Sequence, residues 1–597
     1  MSIFPPAGGR VPALGLCLGT MIALGATGCG GSSAEHASAS ASATGAPVAG
    51  KRGGALTMLW TDDIDFIDPG ETYYQMGFMV AYATQRPLFS WKPDDSEHPV
   101  ADLAAAAPRI APDGCTVTVR IRGGVRFSPP VDREVNARDV KYAIERGFFN
   151  TINNGYVGTY FGDVRGAKVG VAPGSTVPGI GTPNAHTIVF HLRPRAAGKC
   201  TGGVLAGALA MPVTAPVPEA YAARFDRQSP SNYGQYQVAT GPYMVANDAA
   251  GKAIGYESGK SIKLVRNPRW DASTDYKPAY LDEIDMPQGN DDTTVASRKI
   301  VKGHHLLSGD FTPPPEIVRR ALQSTPSQLL RVPGAGIRWV VMNTTVKPFD
   351  DVNVRRAVVA GFNRDAMRLT RGGAAVGDMP THLLNPGIPG FDDAGGMKGP
   401  GLDFLSHPGG DPALSAEYFR KAGYASGRYS GDRDLLMVGT TDGVAQQAAE
   451  VAKENFARMG FNVRLRLVTQ DAMYTKFCNV PSAAVAICPN YGWLKDFADG
   501  QTFLDPTFNG RNILASNNSN ISQLKDPQID AAMRRAELLI DPAQRARAWG
   551  AIDTMISAQA PVIPWIWDRQ PILRSADVNG VVSRFNAQWD LTFTSER

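Results

Sequence analysis

The chain has 597 residues, 43% of them hydrophobic and 19% charged, and a formal net charge of +4. That length exceeds what one hydrophobic core serves and predicts roughly two to four domains. The small net charge and the lack of a basic stripe argue against nucleic acid as a partner.

The N-terminus reads as an export signal. Arg10 precedes an apolar run from Val11 to Ala26, and Ala26-Thr27-Gly28-Cys29-Gly30 follows. A positive flank, a short apolar core and small residues before a cut define a secretory signal. The run is too short and too rich in glycine for a spanning helix. Small residues directly before a cysteine match the bacterial lipobox, so residues 1–28 are expected to leave and Cys29 to carry lipid. Two features depart from that pattern: Ala26 stands where Leu is commoner, and Arg10 is the sole side-chain charge of the n-region. An ordinary secretory signal cut elsewhere is the alternative. Residues 29–52, small and polar without an apolar period, are expected to form a flexible tether. Such a chain sits on the outer face of the cell membrane, and no further span follows.

Cys17 leaves with the signal. Cys115, Cys200, Cys478 and Cys488 remain in the mature domains. Four cysteines in an exported chain predict two disulfides, with three possible pairings. Cys478–Cys488 is the local choice, which leaves Cys115–Cys200. No Cys-x-x-Cys occurs, so a zinc ribbon or a thioredoxin-like site has no support.

In chain order, residues 53–60 read as a strand running into an Asp-Pro turn, and 73–91 as a helix ending before Pro87. Residues 116–122 and 187–192 alternate as half-buried strands. If they pair antiparallel, Cys115 and Cys200 fall at the same end. Asn136 is expected to cap a helix whose face is Val140, Ala143, Ile144 and Phe148. Residues 262–266, 281–286 and 337–343 are further strands, with an Asn-Pro turn and an exposed Trp270 after the first. A helix begins with Asp350-Asp351. Residues 435–467 predict strand, helix and strand in a parallel βαβ unit, with Gly460 ending the helix. Asp541-Pro542 opens a last helix, and 561–567 returns as a strand.

One stretch stands apart. From Cys488 to Phe508, Tyr491, Trp493, Phe497, Phe503 and Phe508 surround Asp496, Asp499 and Asp505 without a helical or strand period. Rings beside carboxylates suit a wall that covers the apolar part of a ligand while an acid meets its ammonium group. The competing reading is a loop whose rings are core and whose acids make caps and turns.

Several motifs in order resemble one family. They are Asp113-Gly114 through Phe127 to Ile144, Thr240-Gly241-Pro242-Tyr243 and Arg266-Asn267-Pro268-Arg269-Trp270. Asn343 with Asp351-Val352-Asn353-Val354-Arg355-Arg356-Ala357, Ala422-Gly423-Tyr424, Trp493-Leu494-Lys495-Asp496 and Pro561-Val562-Ile563-Pro564 complete them. Together they resemble the extracellular solute-binding proteins of peptide- and nickel-type ABC importers. The resemblance implies an α/β fold of the type II periplasmic-binding-protein kind, with two hinged lobes and an inserted third domain. By analogy the first lobe is 53–76, 236–308 and 566–597, the inserted domain 77–235 and the second lobe 309–565. Closure buries a small solute, foremost an oligopeptide, and the closed form docks on a permease served by a separate ATPase. The acidic residue three positions after the Trp, here Asp496, is the implied partner of the peptide ammonium. The insertions at 128–136 and the Gly- and Pro-rich stretch 386–411 depart from the family pattern.

The candidate ligand residues are therefore Asp496, Trp493 and Tyr491, the last two shared between pocket and core. Asp499 is a runner-up, better explained as a solvated loop residue. His304-His305 makes a poor chelate because adjacent side chains diverge in a strand, so no metal or cofactor is expected. Residues 255–261, GYESGKS, have one residue too few between glycines for a phosphate loop. No Gly-x-Ser-x-Gly elbow or other nucleophile motif supports an enzyme. A surface sensor of peptide signals and a secreted hydrolase are the alternatives to transport.

Overall fold

The computed structural model describes residues 47–61, 63–441, 443–515 and 518–597. The expected signal, Cys29 and the tether as far as residue 46 lie outside the described residues.

Three sheets organise the chain. In the first, Ala55–Leu59 lies between Leu306–Ser308 and Glu283–Pro287 and is parallel to both. Ser261–Arg266 and Tyr243–Val245 extend it antiparallel. The 255–261 segment is a hairpin onto Ser261–Arg266, with Gly259 at φ 72°, as a turn there requires. Trp270, expected to be exposed, is half-buried against this core and donates from Nε1 to Asp275 at 2.9 Å.

The second unit is a four-stranded antiparallel sheet in the order Arg109–Ile110, Thr116–Arg120, Thr187–His191, Ile180–Asn184. The alternation of TVTVR turns Val117 and Val119 inward, and both are fully buried. The helix Ala137–Arg146 packs on the sheet. The Asn136 side chain accepts from Arg138 N, and Asp139 reaches back to Asn136 N, a reciprocal cap that fixes the helix start. Cys115 precedes one paired strand, Cys200 follows the other, and they are bonded.

The last turn of that helix carries Arg146, which is inaccessible to solvent. It grips Asp68 with both Nη atoms at 2.8 and 2.7 Å and Asp226 with Nε and Nη2 at 3.0 and 2.8 Å. Its guanidinium lies over the Tyr233 ring. One cation thus ties the loop after Ala55–Leu59 to the four-stranded unit.

The third sheet runs Gly377–Asp378, Val562–Leu573, Leu329–Met342, Ile487–Trp493, Asp434–Thr440, Asn462–Val468. Its far edge is the expected parallel βαβ unit, with the helix Gly443–Arg458 between strands and Gly460 at φ 96° ending it. Asp541 caps Pro542–Gln559. Two expectations change here. The strand placed at 337–343 begins at Leu329, because residues 329–333 pair with the far end of Val562–Leu573. The stretch read as having no period is the strand Ile487–Trp493 followed by the helix Gln501–Phe508; Pro489 in the strand and Pro506 in the helix blur both patterns.

Leu329–Met342 and Val562–Leu573 form one long ribbon. At one end Leu330, Val332 and Ile572 enter the core of the first sheet. At the other, Ile337, Trp339 and Val341 pack beneath the third. Register shifts between Pro333 and Ile337. There Gly336 takes φ 107°, and a Cβ would stand 2.2 Å from the Trp493 carbonyl, so only glycine lets the ribbon pass this close to the Ile487–Trp493 strand.

Arg146→Met leaves two buried carboxylates without their cation. It is expected to cost about 3–5 kcal/mol of stability, read as a lower urea midpoint. Adding Asp68→Asn and Asp226→Asn should recover part of that loss.

Candidate functional site

The Ile487–Trp493 strand delivers residues 494–500 to the space between the third sheet and the four-stranded unit. Cys488, bonded to Cys478, ties this strand to the helical segment Met473–Cys478. Trp493 is half-buried and donates from Nε1 to the Thr502 carbonyl at 2.7 Å, which clamps the turn onto the next helix. Tyr491 is 4% exposed and stacks between Trp339 and Trp493.

The three acids of this stretch differ in charge balance. Asp499 is bound by Arg545 through Nε at 2.8 Å and Nη2 at 2.5 Å and accepts from Gln501 N; it is a paired structural anion, not the solvated loop residue expected. Asp505 is fully buried and held by Arg511 and Asn509. Asp496, 4% exposed, has no cation among the described residues. Its Oδ2 accepts the Tyr73 hydroxyl at 3.0 Å and the Tyr160 hydroxyl, and no partner among the described residues reaches Oδ1.

Burial pushes the Asp496 carboxyl up to about 7, while the two hydroxyls hold it down. Burial and the neighbouring carboxylate push both tyrosines well above the ordinary phenol value, so they stay protonated donors. Tyr73 is set by Asp65, which accepts Tyr73 N at 2.5 Å, Tyr74 N at 3.1 Å and the Thr72 hydroxyl at 2.6 Å. Tyr160 is braced edge-on by Phe497 at 5.1 Å. Phe497 in turn covers Gly207, where a Cβ would lie 2.5 Å from its ring.

Lys495 is 2% exposed and points away from its neighbour. Its Nζ donates to the Ser96 carbonyl at 3.1 Å and the Gly387 carbonyl at 3.2 Å and lies over the Phe585 ring. Burial pushes the ammonium down to about 7. It joins three separate chain segments beside the Asp496 carboxylate.

Tyr491 and Trp493 stack on one another, while the side-chain partners of Asp496 are Tyr73 and Tyr160. Tyr73, Tyr160 and Lys495 were missed by sequence reasoning. The tyrosines lie 423 and 336 residues from Asp496 along the chain, and no local pattern links them. His304 and His305 pair with Asp577 and Glu596 on the surface, and the described residues hold no cluster of three or more His, Cys, Asp or Glu side chains suited to a metal. No helix among them is long and apolar enough to cross a membrane.

Two α/β sheets joined by a shared ribbon, with a further unit closing on a buried carboxylate, define a type II periplasmic binding protein. The chain belongs to the bacterial extracellular solute-binding proteins, family 5, whose model matches residues 98–514; it is a substrate-binding protein of the class that serves ABC importers. It is 22% identical to di/tripeptide-binding protein 3 of Pseudomonas aeruginosa over 468 residues, 76% of this chain and 79% of that protein. Among solved structures it is similar to clavulanic acid biosynthesis oligopeptide binding protein 2, with TM-score 0.78, 25% identity and coverage of 93% of this chain and 98% of that one. It also shares its fold with the periplasmic binding protein DppA of Helicobacter pylori in complex with the peptide STSA, with TM-score 0.68, 18% identity and coverage of 90% and 98%.

Unfolded, Asp496 titrates near 3.8; folded, near 7. Between those values the folded state holds a proton that the unfolded chain has lost. Its contribution to ligand-free stability therefore falls as pH rises through that window and is level above about 7. Asp496→Asn removes this loss. Its advantage over the native protein should be absent below about pH 4 and grow to at most about 4 kcal/mol by about pH 8. Urea midpoints of ligand-free protein across that range check this, and an advantage that does not change with pH contradicts it.

Proposed function

We propose that the protein captures a peptide whose terminal ammonium meets Asp496, and that it delivers this peptide to a membrane permease driven by a separate ATPase. The observation that carries the reading is the buried Asp496 carboxylate, with two hydroxyl donors, no cation among the described residues and one oxygen left over. A ligand ammonium at Oδ1 supplies the missing charge, and Tyr491 and Trp493 line its approach. Relatives named for peptides share this family, which favours peptides over other amines.

In this reading the first lobe comprises 53–76, 236–308 and 566–597, the inserted domain 77–235 and the second lobe 309–565. The ribbon of Leu329–Met342 with Val562–Leu573 is the hinge, bending where register is lost between Pro333 and Ile337. The signal and Cys29 give export and a lipid anchor on the outer face of the membrane, with residues 29–52 as the tether.

Asp496→Ala should weaken binding of a free peptide by about a hundredfold or more, since breaking a buried charge pair costs about 3–5 kcal/mol. Binding of the N-acetylated peptide, already poor, should not change. Calorimetry on both ligands measures this, and equal loss for both removes the ammonium contact. Separately, Cys29→Ala should abolish incorporation of radiolabelled fatty acid and release the protein from the membrane fraction; continued labelling would place the anchor elsewhere.

A further inference from the structure

Lys495 and Asp496 are neighbours, yet their side chains leave the turn for different segments. Asp496 meets Tyr73 and Tyr160, whereas Lys495 meets the tip of a hairpin. Phe89–Ser90 pairs antiparallel with Val100–Ala101, and residues 91–99 form the tip between them. The base of this hairpin is buried with the four-stranded unit, where Leu88 and Phe89 share a core with Val117 and Val119. The tip reaches out of that unit and touches both of the others.

Towards the first sheet the contact is a ring stack with backbone bonds. Trp91 lies flat on Phe585, with ring centroids 4.0 Å apart and planes 5° from parallel. Arg584 N donates to the Pro93 carbonyl at 2.8 Å, and the Tyr276 hydroxyl donates to the Trp91 carbonyl at 3.1 Å. Val582 and Trp589, on either side of this segment, belong to the core of the first sheet. Towards the third sheet the hydrogen bond comes from the Lys495 side chain. Its Nζ joins the Ser96 carbonyl of the tip to the Gly387 carbonyl and lies 5.2 Å from the centre of the Phe585 ring. Leu384 and Ile388, beside Gly387, belong to the core beneath the third sheet. Gly387 takes φ 86°, and a Cβ there would stand 3.1 Å from Ser96 Oγ, so glycine lets the two loops meet.

Burying a lysine costs it hydration and side-chain freedom. Here that cost is offset only while Ser96, Gly387 and Phe585 stand together, and they come from three separate units. We propose that the tip at 91–99 is a strap drawn across the cleft when a ligand is captured, and that Lys495 is its clasp. This rests on the reading that the lobes close on a ligand at Asp496. The two residues share one turn, so a ligand that holds Asp496 against Tyr73 and Tyr160 also carries Lys495 to the tip. Lys495 is thus a positioning residue that fastens the closed arrangement.

The test follows backbone hydrogen exchange in the full exported chain by mass spectrometry, with and without a pool of random tripeptides. In the native protein the pool should slow exchange at Arg584, whose amide donates to the tip, and across 91–99 by at least about tenfold. Lys495→Met keeps the length of the side chain and loses its donors. It should still retain free tripeptides in preference to N-acetylated ones, yet lose most of that slowing. Native protein that retains free tripeptides while exchange at 584 and 91–99 stays the same overturns the strap and leaves Asp496 standing. Slowing as large in Lys495→Met as in the native protein overturns the clasp. Retention of N-acetylated peptides as good as that of free ones, or no retention from either pool, overturns the reading of Asp496 and the strap that rests on it. If Lys495→Met does not fold, Lys495→Gln takes its place and is judged by the same loss of slowing.

Discussion

A carboxylate buried with no cation among the described residues is the constraint on which the rest of this molecule turns. Taking an ion out of water costs several kcal/mol even after relaxation. Two tyrosine hydroxyls offset part of that cost at Asp496, and the remainder raises its carboxyl to about 7. Two species can remove the remaining charge: a proton, or a cation brought by a ligand. Above neutral pH the proton is lost, and a cation at this carboxylate is the one remaining way to balance it. Closure conditional on the ligand is what a capture protein needs, because a form that closes equally well when empty gains nothing from its substrate.

The surrounding structure keeps that carboxylate from finding a cation of its own. Lys495 is the nearest in sequence, yet its ammonium is committed to the Ser96 and Gly387 carbonyls and the Phe585 face. Arg545 is committed to Asp499, and Arg511 to Asp505 and Glu537. Each pairing also fixes an element: Asp499 with Arg545 joins the turn after Asp496 to Pro542–Gln559, and Lys495 joins the start of that turn to three distant segments. Rigid supports of this kind hold the carboxylate in one place, and in the proposed role they reduce the ordering cost of binding.

Much of the fold was legible because it follows local periods. TVTVR, the Asn136 cap, the βαβ unit ending at Gly460 and the Asp541-Pro542 start all form where side-chain spacing and backbone preference place them. The Leu329–Met342 strand was half seen, since its first residues, LLRVP, have no alternation and owe their conformation to pairing with Val562–Leu573. The strand and helix around Asp496 were hidden by Pro489 and Pro506. Asp496 was singled out by motif order, whereas its hydrogen-bond partners Tyr73 and Tyr160 were invisible, because those contacts arise only when segments hundreds of residues apart are folded together.

Charge balance separates the acids of this region better than composition does. Asp496, Asp499 and Asp505 share one aromatic stretch, and all three look alike as residues beside rings. Once folded, two of them have arginine partners and already serve the structure, so a ligand cation there would have to displace a buried guanidinium and leave it unpaired, a loss of several kcal/mol. Asp496 carries no such penalty.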